Sequence, residues 1–286
     1  MRRIDEDVGQ PDLLARARDR FRLRDAADSA VREGARLVFA RTDDGKDVVV
    51  KTSDPRDLAT EVEALRAFGE HRAVAVLDVW VEEGLALLER VTPGTALASE
   101  ATEDQALEVM AGMLAGGWPA VPDNSAASSI DRFLDMLDRG LAEHSTLSAA
   151  CPVDPALLRR ASAVFRELLD DAAPPALLHG DLHYGNVLRS DRAGHLLIDP
   201  KGMIGEPAFD LGYLISRPAP VARDALPLSH ALDRRLAVLP VATGQDRTRV
   251  TAFAFVAAAL SAVWAFEDGD PACNFDEMMA ALGRRV

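Results

Sequence analysis

The stretch HGDLHYGNVLRSDRAGHLLIDPKG, His179 to Gly202, gathers three histidines, three aspartates and one asparagine around short apolar runs. Its chemistry decides how the rest of the chain is read. A zinc site would use His179 and His183 at helical i, i+4 spacing, but Gly180 and Gly185 argue against a helix and no HExxH glutamate follows. A hydrolytic His/Asp pair would need a nucleophile on a strained GxSxG turn, and the chain contains none.

The third reading is a loop that serves a phosphoryl donor. His179, Asp181, Leu182 and Asn186 form H-x-D-L-x-x-x-N, the spacing of a kinase catalytic loop. Asp181 would accept or orient the proton of an attacking hydroxyl, and Asn186 would turn its carbonyl oxygen towards Mg²⁺, which prefers oxygen ligands. One strand later the run HLLID ends on Asp199, a second carboxylate for metal and phosphates. His183 and His195 carry no role in this reading.

Working outward, the N-terminal part supplies a lysine in the matching context. Lys51 ends the strand-like run VVVK, and the chain's other lysines are Lys46, in a turn, and Lys201. A strand lysine of this kind pairs the α and β phosphates in kinases. The helical pattern DLATEVEALRAF, 57 to 68, then offers Glu61 and Glu63 as its carboxylate partner. They lie about 200° apart on a helix, so only one can face the sheet. Glu61 borders the apolar face formed with Val62 and Leu65 and is the choice.

The pattern of elements gives the fold class. A helix is expected over 12–25, a hairpin over 37–41 and 48–51 around Asp44-Gly45, and two strands over 73–91 before the Pro93-Gly94 turn. Beyond it, 104–114, 130–142, 155–169, 209–215, 228–238 and 249–266 read as helices, with strand-like runs between residues 176 and 201. The expectation is an α+β chain: an N-terminal nucleotide-binding lobe over 1–90, made of a small antiparallel sheet and a helix, and a mainly helical C-terminal lobe over 91–286.

Bulk properties set limits. The chain has 286 residues and a net charge of −14, which disfavours nucleic acid and anionic membranes and suits a cationic small molecule. Cys151 and Cys273 suggest neither zinc nor a disulfide framework. The charged start MRRIDEDVGQ lacks an apolar signal core, so a cytoplasmic location is expected. The apolar run from Thr251 to Phe266 is shorter than a bilayer span and reads as a buried helix.

With these residues placed, the chain resembles the aminoglycoside phosphotransferases, small-molecule kinases with a protein-kinase-like fold. LLHGDLHYGNVL followed by LIDPKGMIGEPAFDLGYLI most resembles the branch of streptomycin 6-phosphotransferases and a hydroxyurea kinase. The resemblance implies ATP as co-substrate with Mg²⁺, Asp181 as catalytic base, Asn186 and Asp199 as magnesium ligands, and Lys51 on the phosphates with Glu61 as its partner. It further implies that the backbone of Glu89, Arg90 and Val91 binds the adenine edge. His179 would brace the loop, and Asp210 would hold it from below.

Two departures stand out. SAVREGARLVFA has only Gly34 where protein kinases carry GxGxxG, which leaves Ser29 to Gly34 a weaker phosphate cover. The metal aspartate is followed by Pro-Lys-Gly, which implies an enzyme without an activation-loop switch. An acidic group after the apolar helix, Glu267, Asp268, Asp270, Asp276 and Glu277, would suit a cationic acceptor. Against catalysis stands a nucleotide-binding module without turnover, which would need no base at Asp181.

Overall fold

A computed structural model describes residues 10–24, 27–32, 35–143, 154–217, 227–267 and 275–286. Chain contacts divide it into two compact units, Met1–Thr95 with Leu188–Lys201, and Ala96–Val187 with Gly202–Val286.

The first unit is built on a five-stranded antiparallel sheet. Its strands are β1 (Ala27–Arg32), β2 (Ala35–Arg41), β3 (Asp47–Thr52), β4 (Val76–Trp80) and β5 (Leu85–Glu89), in the order β1-β2-β3-β5-β4. Alternation drives Val48 and Val50 of β3 into a core with Val38, Ala40, Leu85 and Leu87. Helix α1 (Gln10–Phe21) adds Ala17 and Phe21 to that core.

Helix α2 (Pro55–Phe68) starts where Asp54 caps the Arg56 N–H at 2.9 Å, with Pro55 in the first turn. It buries Leu58, Glu61, Val62, Ala64, Leu65 and Phe68. Gly84 turns the chain between β4 and β5 with a left-handed backbone, where any side chain would strike the carbonyl of Ser53.

The first unit is not one continuous stretch, because the later segment Leu188–Lys201 belongs to it. Strands β6 (Pro93–Ala96), β9 (Val187–Ser190) and β10 (Gly194–Leu197) form a sheet in the order β10-β9-β6. The Val74 N–H donates to Leu197 and the Leu197 N–H to Arg72, each closing backbone bonds that a strand edge would otherwise leave open. Arg192 adds three anchors, donating to Glu89 and to the carbonyls of Glu70 and Ala73. The Pro93-Gly94 turn expected from sequence is here the start of strand β6.

The second unit is mainly helical: α3 (Leu97–Glu100), α4 (Glu103–Leu114), α5 (Arg132–Ala142), α6 (Pro155–Asp170), α7 (Pro207–Ser216), α8 (Leu228–Thr243), α9 (Arg247–Glu267) and α10 (Phe275–Gly283). Helix α9 is its axis and packs against α5, α6, α7, α8 and α10. It is long and apolar enough to cross a membrane, yet 78% of its most apolar window is buried within the protein. Apolar on all sides, it needs neighbours on all sides. Gly212 of α7 permits the closest crossing, since a Cβ there would lie 2.6 Å from the backbone of Phe253 and Ala254.

A short mixed sheet, β7 (Ser128–Ser129), β11 (Met203–Gly205) and β8 (Ala176–Leu178), completes this unit with β11 in the middle. β11 was not expected from sequence, because its MIG segment is too short to show alternation. Cys151, Cys273, Glu33, Gly34, Asp268 and Asp270 lie outside the described residues.

Candidate active site

The first unit holds a cluster around Lys51. In the middle of the sheet, β3 pairs Lys51 with Leu37 on one side and Ala86 on the other. This register leaves the side chain almost wholly buried, at 5% exposure. Such an ammonium requires compensation. Its Nζ donates to Glu61 Oε1 at 2.8 Å and to Asp199 Oδ1 at 2.5 Å. Burial pulls the Lys51 pKa down, but the charges of Glu61 and Asp199 outweigh it and hold the group above its ordinary value. Glu61 is pushed up by its own burial, against the pull of Lys51.

Asp199 sits in the left-handed region at φ 57°, which bulky residues avoid and aspartate tolerates. The loop that follows is pinned when Thr60 Oγ1 of α2 donates to the Lys201 carbonyl at 2.7 Å. One helix thus places both the lysine's partner and the loop after the aspartate.

The segment expected to meet the adenine is partly committed to structure. The Glu89 N–H donates to the Ala75 carbonyl, and the Glu89 carboxylate accepts from the Ala75 N–H and from Arg192. Arg90 stacks its guanidinium 4.8 Å from the Phe39 ring centroid, and Val91 is buried. Of the expected phosphate cover, 29–32 belong to β1, and Glu33 and Gly34 fall outside the described residues.

The second unit carries the loop with Asp181. Asp210, at the start of α7, accepts the His179 N–H at 2.8 Å, the Gly180 N–H at 2.9 Å and Trp118 Nε1 at 2.8 Å. Burial pushes its carboxyl up to about 6, the three donors moderating the rise and the charge of Asp181 adding to it. His179 Nδ1 accepts the Asp181 N–H at 3.3 Å, so this histidine braces the loop.

Asn186 Nδ2 donates to the Asp181 carbonyl at 3.0 Å and to Asp181 Oδ2 at 3.2 Å. With the amide nitrogen so engaged, its carbonyl oxygen is the atom left for a cation. Asp199 in the first unit and Asn186 in the second are each oxygen donors, the ligand type that Mg²⁺ takes, and neither presents sulfur or imidazole. Among the described residues no group of three or more His, Cys, Asp and Glu side chains is gathered as for a metal ion.

Three contributors were not read from sequence. His183 Nδ1 accepts the Gly185 N–H at 3.0 Å, which leaves the proton on Nε2, 3.8 Å from Asp181 Oδ2. It is part of the loop and not incidental, and Gly185 is small because a Cβ would lie 2.8 Å from that ring. Trp118 and Arg217 come from parts of the chain distant in sequence, and neither sits in a motif; Arg217 Nη2 lies 4.0 Å from Asp181 Oδ1.

A kinase-like fold with a strand lysine clamped between two carboxylates and an aspartate held in a braced loop defines an ATP-dependent small-molecule phosphotransferase. Residues 20–269 match the family model described as "Aminoglycoside/hydroxyurea antibiotic resistance kinase", and the chain belongs to this family. It is 32% identical over 270 residues to a streptomycin 6-kinase of Streptomyces glaucescens, covering 92% of this chain and 85% of that one. With a hydroxyurea phosphotransferase of Kitasatospora aureofaciens it shares 31% identity, over 96% and 80% of the two chains.

Among solved structures, a choline kinase of Streptococcus pneumoniae superposes with a TM-score of 0.67 at 13% identity, covering 97% of this chain and all of that one. An aminoglycoside phosphotransferase solved with ADP and hygromycin B gives 0.65 at 15% identity, over 95% and 97%. Both are similar in fold.

Proposed function

We propose that this kinase transfers the γ-phosphoryl group of ATP to a hydroxyl of a streptomycin-type aminoglycoside and thereby inactivates the antibiotic. The observation that carries the chemistry is Lys51 buried between Glu61 and Asp199. The acceptor rests on the similarity to streptomycin 6-kinases over most of the chain.

In this reading Lys51 binds the α and β phosphates, held by Glu61, and the backbone from Glu89 to Val91 meets the adenine edge. Asp181 takes the proton of the acceptor hydroxyl as that oxygen attacks the γ-phosphorus, and the bond from phosphorus to the β-phosphate oxygen breaks to release ADP. Asn186 and Asp199 hold Mg²⁺, which when bound neutralises charge on the phosphate oxygens. The exposed Glu267 and Glu277 and the half-buried Asp276 would favour a cationic acceptor.

A second reading keeps the kinase and changes the acceptor to hydroxyurea, favoured by the Kitasatospora relative. ADP release measured with streptomycin, other aminoglycosides and hydroxyurea, followed by product mass, separates the two. Turnover on streptomycin is the expected result; turnover on hydroxyurea alone selects the second reading. Silence on every acceptor removes the antibiotic assignment. Asp181→Asn should lower turnover by about 10²–10⁴-fold while nucleotide binding persists, as loss of a general base does. A variant that still turns over would remove Asp181 from the chemistry.

A further inference from the structure

The second unit contains a chain of contacts that ends on Asp181 and starts in its buried core. Arg235 of α8 is 1% exposed, and its guanidinium grips Glu103 of α4 through Nε at 2.6 Å and Nη2 at 2.9 Å. The remaining nitrogen, Nη1, donates to the carbonyls of Ile215 at 2.8 Å and Arg217 at 2.5 Å. These carbonyls lie at the C-terminal end of α7, where a helix leaves its last acceptors without intrahelical partners and where positive charge is favourable.

The pair therefore does more than neutralise itself. It fixes the backbone of Arg217 immediately after α7, whose first turn carries the loop-holding Asp210. The Arg217 side chain then lies back over its own helix, its guanidinium 4.0 Å from the Tyr213 ring centroid. Stacked there, it reaches within 4.0 Å of Asp181 Oδ1, with side-chain exposures of 23% for Arg217 and 12% for Asp181. A charge pair this shielded is screened far less than one on the surface.

The carboxylate is thus flanked on both oxygens, by a hydrogen bond at Oδ2 and by a nearby positive charge at Oδ1. Asn186 addresses Oδ2 and Arg217 addresses Oδ1. We infer that Arg217 is a positioning residue for the reaction: anchored by the Glu103–Arg235 pair and stacked on Tyr213, it fixes the orientation of Asp181 and balances its charge before the acceptor arrives. The inference rests on the reading of Asp181 as the proton acceptor. It adds an acceptor-side cation that neither the catalytic-loop motif nor the strand lysine supplies, and it sends its effect to the rate of transfer and not to nucleotide binding.

The test uses the full chain, with Arg217→Gln, Arg217→Lys and Asp181→Asn compared with wild type. Thermal melting, binding of a non-hydrolysable ATP analogue, and steady-state turnover are measured with streptomycin, with hydroxyurea, and with water as acceptor in slow ATP hydrolysis. Arg217→Gln should melt like wild type, bind nucleotide normally, and lose about 10- to 100-fold in kcat with KM for the acceptor little changed, as a slightly misplaced catalytic group does. Arg217→Lys keeps the charge and should recover most of the rate.

Unchanged kcat in Arg217→Gln, or a change confined to KM, overturns the inference. So does a lysine variant as slow as the glutamine one, and so does a loss of rate that tracks a loss of folding in both variants. An Asp181→Asn variant that retains turnover, or a wild type inactive in all three assays, instead removes the reading of Asp181 on which the inference stands.

Discussion

Two buried ionic clusters, one in each unit, look alike at first and differ in what they leave over. In the first unit, one ammonium, Lys51, serves two carboxylates, Glu61 and Asp199, and the Asp199 side chain is 32% exposed. In the second, Arg235 meets a single carboxylate, Glu103, and directs its remaining nitrogen to two carbonyls, with side-chain exposures of 2% and 7%. The second cluster is closed and balanced. The first carries surplus negative charge on an atom that solvent or a ligand can reach, and the proposed role in phosphoryl transfer would use that imbalance.

The largest effect should come from removing the surplus. Asp199→Asn suits the left-handed backbone, which asparagine tolerates as well as aspartate does, and it leaves Lys51 paired one-to-one with Glu61. Turnover should fall about a thousandfold, the upper range for loss of an electrostatic contributor to a transition state. The urea midpoint should stay near wild type. An active Asp199→Asn variant would show that the imbalance has no use, and an unfolded one that the cluster is structural after all.

The closed cluster should answer first in stability. Glu103→Gln leaves the Arg235 guanidinium buried without its counter-charge and should cost about 3–5 kcal/mol of unfolding free energy, read from urea titration. Nucleotide binding should persist while the protein is folded. Replacing both partners, Glu103→Leu with Arg235→Met, should recover much of that stability, because a matched apolar pair carries no desolvation penalty. A Glu103→Gln variant as stable as wild type would erase the distinction.

The contrast explains what the sequence revealed. Lys51, Glu61, Asp181, Asn186 and Asp199 stand out in the sequence as candidates because their spacing within short stretches of strand, helix and loop is set by local geometry, and local geometry repeats in sequence. Glu103 and Arg235 stand 132 positions apart, and no periodicity announces them. Trp118 and Arg217 were hidden for the same reason, as was His183, whose role depends on a ring turned towards Gly185 and Asp181. In the fold, long helices and alternating strands were legible, whereas β11 and the return of 188–201 to the first unit rest on pairings between distant segments.

Asp210 is a third kind of buried charge: a fully buried carboxylate satisfied by the N–H groups of His179, Gly180 and Trp118, with no guanidinium or ammonium bonded to it among the described residues. Burial raises its pKa from 3.8 to about 6. The folded protein therefore holds this proton more tightly than the unfolded chain, so the group's contribution to stability is complete below pH 3.8 and is lost as pH rises through about 6. Across that window the loss amounts to about 3 kcal/mol. Asp210→Asn does not titrate. It also offers one oxygen to three donors, but that penalty is independent of pH. Unfolding free energies of the two proteins, measured from pH 4 to 7, should therefore change relative to each other, with the wild type losing ground as pH rises. A constant difference would mean that the N–H donors cancel the cost of burial. A difference of the opposite slope would mean that they exceed it, and that Asp210 is held as firmly as an ion paired with a cation.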